Sequence, residues 1–162
     1  MEENKNIICL NSKKIPEISE VGGKSYSLIK LSNLNLNVPN GIVLTVNFFN
    51  EWINKIKNSD LYKQFIELLQ KDKKLDECSS ILNQIKEWSL SNLSLNENIM
   101  KDIEQCLRNI FPNEYNKILY AVRSSSPEED LSGASFARNY ETYLGIKYNS
   151  IENIFLKHLY HA

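Results

Sequence analysis

The spacing of apolar positions changes repeatedly along the chain, and each change predicts an element. Ile7-Ile8-Cys9-Leu10 is a short continuous run and predicts a strand. Residues 13–20 form a polar connection around Pro16. From Lys24 to about Asn33, the apolar residues Leu28, Ile29, Leu31 and Leu34 recur at helical spacing. Gly22-Gly23 stands where that helix begins, so its first N–H groups have no partner within the helix and point out of the Gly-Gly turn. Pro39-Asn40-Gly41 is a turn signal. The β-branched run Ile42 to Val46 predicts a second strand.

The middle of the chain is helical in period. Phe48, Phe49, Trp52, Ile53 and Ile56 fall on one helical face, with Thr45 or Asn47 as the candidate cap. Leu61, Phe65, Leu68 and Leu69 mark a second face, and Ile81, Leu82, Ile85 and Trp88 a third. Ile99, Ile103, Leu107 and Ile110 mark a fourth, stopped by Pro112. Residues 46–111 thus read as a helical block with short polar links such as 71–77. Ile118 to Val122 is continuously apolar, the pattern of a strand covered on both faces. Residues 124–140 hold no regular pattern, and a loop that long in a compact domain is usually functional or disordered. Residues 141–146 return as a strand, so 117–146 is a strand–loop–strand segment. Ile151, Ile154, Phe155 and Leu159 predict a last helix. The expected fold class is α+β: a helical insertion packed on a small mixed or antiparallel sheet.

Composition narrows the partners. With 162 residues the chain suits one ordinary domain, and it contains no internal repeat. A net charge of −1 provides no basic field, so no nucleic-acid partner is expected. The polar N-terminus has no apolar stretch behind it, and the longest apolar runs fall far short of a membrane span. Cys9, Cys78 and Cys106 are far apart, and no CxxC or Cys/His spacing occurs. They read as reduced thiols in a cytoplasmic protein, with no metal site.

The candidate chemistry lies in two segments. Tyr120-Ala-Val-Arg123 runs from an apolar strand into Ser124-Ser125-Ser126 and a long polar loop. A guanidinium at a strand end can grip a phosphate with two parallel hydrogen bonds, and the serines can add hydroxyl contacts. The same arginine equally suits a structural ion pair with Glu128, Glu129 or Asp130. Those three acids read as a solvated face rather than a metal site. Gly22-Gly23-Lys24-Ser25 ends like a P-loop, but the position five residues before Gly23 is Ile18, so the P-loop pattern fails. What remains is a Gly-Gly turn at a helix N-terminus with a lysine in the first turn. It suits an anion, and it also describes an ordinary loop-to-helix turn with a solvated lysine. His158 and His161 complete no catalytic constellation, so no catalytic residue is assigned.

These residues resemble a known family. Val21-Gly-Gly-Lys24 before a helix and Val38-Pro-Asn-Gly41 before a strand with Thr45 come first. Ala121-Val-Arg-Ser-Ser125, Glu128-Glu-Asp-Leu131, Gly133-Ala-Ser-Phe-Ala137 and Glu141-Thr-Tyr-Leu144 follow in order. The set is similar to the N-terminal nucleotide-binding domain of phosphoenolpyruvate synthase, a domain shared with rifampicin phosphotransferase and pyruvate phosphate dikinase. The resemblance implies an ATP-grasp-type fold. It implies transfer of a phosphoryl group from ATP, with Mg²⁺, to a histidine on a separate domain, and from there to pyruvate or to the drug. By matched position it places Lys24, Arg123, Thr142, Ala137 and Arg138 at the nucleotide. The family's usual glycine after the Ser-Phe-Ala run is here Arg138, which puts closure of the loop over the phosphates in question. In the family the adenine contacts, the metal-binding acids and the phosphorylated histidine lie further along the chain. The expectation is therefore an N-terminal fragment, inactive by itself. A stand-alone nucleotide-binding or regulatory module is the alternative.

Overall fold

A computed structural model describes residues 5–70, 75–125 and 142–158. In chain order its main elements are β1 (Ile7–Cys9), α1 (Ile18–Asn33), β2 (Ile42–Leu44), α2 (Asn50–Asn58), α3 (Asp60–Gln70), α4 (Leu75–Asn92), α5 (Glu97–Ile110), β3 (Tyr120–Arg123), β4 (Thr142–Ile146) and α6 (Ile151–His158). The class is α+β. Two compact units are present, Met1–Phe48 with Leu95–Ala162, and Phe49–Ser94.

The first unit carries two separate antiparallel ribbons among the described residues, β1–β2 and β3–β4. In the first ribbon Ile7, Ile8 and Cys9 oppose Leu44, Val43 and Ile42. Backbone bonds from Leu10 N–H to the Gly41 carbonyl and from Thr45 N–H to the Asn6 carbonyl, each 3.0 Å, extend that ladder at both ends. The apolar face of α1 covers it. Ile29, wholly buried, packs with Val21 and Val43, and Ile8, Leu10 and Tyr26 close the cluster. Helix α5 buries Ile103 and Leu107, one helical turn apart, and α6 buries Ile154, Phe155 and Leu156. The Phe155 ring meets Phe48 edge-on at 6.2 Å. Burial of one such side chain contributes about 1.5–3 kcal/mol.

The second unit is the helical set α2, α3 and α4. Trp52 is its buried anchor, and its indole N–H donates to the Ser94 carbonyl at 3.0 Å. Ile81, Ile85 and Ser89 of α4 point inward at spacings of four, and the Ser89 hydroxyl donates back to the Ile85 carbonyl at 2.8 Å. A serine so buried is tolerated because its only donor is used within the helix.

Three expectations change. Neither Thr45 nor Asn47 caps α2, which continues instead from a 3₁₀ turn at Val46–Phe49. The Thr45 hydroxyl donates to the Lys5 carbonyl at 2.8 Å, so its side chain ties two strands together. Helix α4 begins at Leu75, inside the segment expected to be a link. Strand β3 is not covered on both faces: Tyr120 and Val122 are half-buried, while Ala121 and Arg123 are exposed and the preceding Leu119 is 62 % exposed. Among the described residues β3 pairs with β4 alone, and its Ala121 and Arg123 face is open to solvent. The three cysteines are half-buried and unbridged, and burial pushes the Cys9 and Cys106 thiols up.

Candidate functional site

Helix α1 does not run straight. Gly22 has φ 74° and ψ 165°, so a first helical turn at Ile18 breaks and a second helical stretch starts at Gly23. The polar connection expected over residues 13–20 is therefore partly helical, and Glu17 and Glu20 start it. The Glu17 N–H donates to Glu20 Oε2 at 2.9 Å, closing the first turn before the break. Glycine is required at the break, because a side chain is almost never found at such φ and ψ.

The break brings the turn against the end of β3. A Cβ at Gly22 would lie 2.2 Å from the Ser125 carbonyl oxygen, 2.4 Å from its carbon and 2.6 Å from its Oγ. Three residues on, the Ser25 N–H donates to Ser125 Oγ at 3.0 Å. Two segments a hundred residues apart in sequence thus meet through backbone. N–H groups in a helix's first turn point out of its N-terminal end, so the positive end of this helix faces Ser125. Lys24, exposed in the first turn, is next to Ser25, and Arg123 is two residues before Ser125.

The second ribbon supplies the other side. In β3–β4, Val122 opposes Tyr143 and Arg123 opposes Thr142, with an irregularity between Tyr120 and Val122. Directly opposed residues in an antiparallel pair share a face. Arg123 and Thr142 are therefore neighbours on the exposed face, while Val122 and Tyr143 turn inward together. Among the described residues Arg123 has no ion-pair partner. Ala137 and Arg138 lie outside the described residues, as do the acids Glu128, Glu129 and Asp130.

The serines behave differently from expectation. Ser125 uses its oxygen to accept from the helix, and Ser124 turns inward, 9 % exposed, with a buried Oγ that has no hydrogen-bond partner. The Ser124 hydroxyl is thus not presented beside Arg123, and the Ser125 oxygen is engaged by the helix. The triple serine in the sequence carries no sign of which oxygen goes where, because contact with the Gly22–Ser25 turn decides it.

A network beneath β3 holds its start in place. Tyr115 OH donates to Glu104 Oε1 at 2.7 Å, and Arg108 donates to the same carboxylate at 2.8 Å through Nε and to Tyr115 OH at 2.7 Å. The Arg108 guanidinium also lies 4.2 Å over the Tyr115 ring. Tyr120 OH donates to the Tyr115 carbonyl, and its ring meets Phe111 edge-on. The Tyr115 hydroxyl and the Arg108 guanidinium hold the Glu104 carboxyl below its usual range. Burial, then the Glu104 charge, pushes the Tyr148 phenol up to about 12. Sequence periodicity registered none of this, since its polar atoms come from a helix, a turn and a strand.

The arrangement suits a polyphosphate: an exposed lysine on a helix N-terminus, an exposed arginine, and a hydroxyl on the adjacent strand. Among the described residues no group of three His, Cys, Asp or Glu side chains is placed to hold a metal. A shallow cavity between Lys55, Asn58, Trp88 and Asn92 belongs to the helical unit and contains none of the expected site residues. Among the described residues no helix is long and apolar enough to cross a membrane.

Comparison with known families matches residues 18–156 to the model described as pyruvate phosphate dikinase, AMP/ATP-binding domain. The chain belongs to this family. Phosphoenolpyruvate synthase of Escherichia coli (strain K12) is 26 % identical over 95 % of this chain and 20 % of its own length. A probable phosphoenolpyruvate synthase of Archaeoglobus fulgidus is 35 % identical over 80 % of this chain and 17 % of its own. Rifampicin phosphotransferase of Bacillus subtilis (strain 168) is 28 % identical over 86 % of this chain and 16 % of its own. This AMP/ATP-binding-family chain therefore spans about a fifth or less of the length of those curated relatives. No solved structure matches it.

Proposed function

We propose that this chain is the N-terminal ATP-binding portion of a phosphoenolpyruvate synthase-like phosphotransferase with an ATP-grasp-type nucleotide site. The parent protein converts ATP, pyruvate and water to AMP, phosphoenolpyruvate and phosphate by way of a phosphohistidine on another domain. The observation that carries the reading is the meeting of the Gly22–Ser25 turn with the end of β3 at Ser125. Phosphoryl transfer depends mainly on positioning and charge neutralisation, and this joint, one residue from Lys24 and two from Arg123, supports assigning both cations to one polyphosphate.

Lys24 and Arg123 neutralise the polyphosphate, and Thr142 donates its hydroxyl from the strand beside Arg123. When ATP is bound it supplies the phosphoryl group. By their matched positions Ala137 and Arg138 are also assigned to nucleotide binding. Mg²⁺ enters with acids that the family resemblance assigns to a later part of the parent. The 162 residues by themselves bind ATP weakly and do not turn over. The parent works in the cytoplasm without a nucleic-acid or membrane partner.

The decisive experiment expresses the parent polypeptide and follows pyruvate-dependent AMP formation. AMP should appear only with pyruvate, and Arg123→Ala should abolish it. AMP formation that does not depend on pyruvate and instead accompanies phosphorylation of rifampicin would move the assignment to the rifampicin phosphotransferase branch that the Bacillus subtilis relative represents.

A further inference from the structure

Gly22 occupies the position where a helix normally finds its cap. A capping side chain accepts the N–H of the second or third helical residue, and for a helix starting at Gly23 the third is Ser25. Glycine has no such side chain. Ser125 Oγ takes the Ser25 N–H in its place, 3.0 Å away, from the end of a strand a hundred residues later. The cap of one phosphate-facing segment is thus built from the other segment. The absence of a Cβ at residue 22 is also what lets Ser125 come this close.

We propose that Ser125 is a positioning residue of the nucleotide site: its hydroxyl caps the Lys24 helix from the Arg123 strand and fixes the two cations relative to each other. This rests on the nucleotide reading above. The role is indirect, since Ser125 acts through the helix end. It separates Ser125 from its neighbour, because the inward Ser124 hydroxyl makes no such bond. Ser125 therefore answers to loss of its oxygen, and Ser124 does not. A single hydrogen bond of this type sets the expected size at about a two- to tenfold change in affinity.

The test uses the 162-residue chain, its Ser125→Ala, Ser125→Thr and Ser124→Ala variants, and MgATP as the probe in an amide NMR titration. In Ser125→Ala the Ser25 amide should exchange faster with solvent, and MgATP affinity should fall by about two- to tenfold. Ser125→Thr, which keeps the acceptor oxygen, should restore both, and Ser124→Ala should change neither. Wild-type affinity in Ser125→Ala, with the Ser25 amide nonetheless deprotected, would overturn the positioning role and leave the nucleotide reading standing. No MgATP-induced shift in the wild-type chain at millimolar concentration would instead strike the nucleotide reading for this chain, and the positioning role with it. A fall in affinity that Ser125→Thr does not relieve would assign the effect to the shape of the strand end and overturn the capping argument.

Discussion

Replacing Gly22 by alanine tests the joint between the Gly22–Ser25 turn and the end of β3. Two costs arise at that position. A residue with a side chain at φ 74° and ψ 165° is strained by about 1–3 kcal/mol. The new methyl would also lie 2.2 Å from a backbone oxygen and 2.4 Å from a backbone carbon of Ser125, neither of which can swing aside. Forced overpacking of this kind costs about a further 1–3 kcal/mol. The sum, about 2–6 kcal/mol, is a large share of the roughly 5–15 kcal/mol available to a domain. Gly145→Ala is the matched control. Its φ is 71°, yet nothing lies within 4 Å of a Cβ there, so it carries only the conformational cost, about 1–2 kcal/mol. Urea unfolding followed by far-UV circular dichroism, with hydrogen exchange at Ile29, reports on the first unit. Tryptophan fluorescence does not, since Trp52 and Trp88 both lie in Phe49–Ser94. Gly22→Ala should lose about 1–3 kcal/mol more than Gly145→Ala, or about 2–4 °C of Tm for each of those kcal/mol. Equal losses in the two variants would refute the close approach of residues 22 and 125.

Three further outcomes follow from the polar atoms around β3. Ser124→Ala removes a buried hydroxyl that has no partner, so stability should rise, by at most about 1–3 kcal/mol; a lower thermal midpoint would show that the hydroxyl is satisfied after all. Tyr148 has its pKa raised from 10.0 to about 12, mainly by burial, so the folded state holds the phenolic proton more tightly than the unfolded chain does. Its contribution to stability is complete below pH 10 and is lost as pH rises through about 12. Unfolding midpoints in that window should therefore fall more steeply for wild type than for Tyr148→Phe, and parallel curves would contradict the burial argument. Glu104 has the opposite sign: its lowered pKa gives stability that is present above its ordinary value and lost as pH falls through the folded one.

Much of the element order was legible in apolar spacing. The four mid-chain helices, the strand after Pro39-Asn-Gly41 and the strand into Arg123 stand close to where periodicity puts them. Boundaries failed where local pattern has no preference. Ile18 to Glu20 look like the tail of a polar connection, yet they form a helical turn that leads into Val21, which packs against Ile29 and Val43. Ile118-Leu-Tyr-Ala-Val122 looks buried throughout, yet Leu119 and Ala121 are exposed, because among the described residues no layer packs on that face. A run of apolar residues states an affinity for cover, and the cover itself comes from elsewhere.

The sequence by itself determined the residue types that suit a phosphate, the glycine pair that can break a helix, and the ordered motifs that mark the family. It determined these because backbone freedom, charge and apolar period are local properties. Only the tertiary structure decided that Ser25 and Ser125 share a hydrogen bond, that Arg123 stands opposite Thr142, and that Ser124 turns away. Those are relations between segments, fixed by strand register and by how closely a backbone without a Cβ lets another approach.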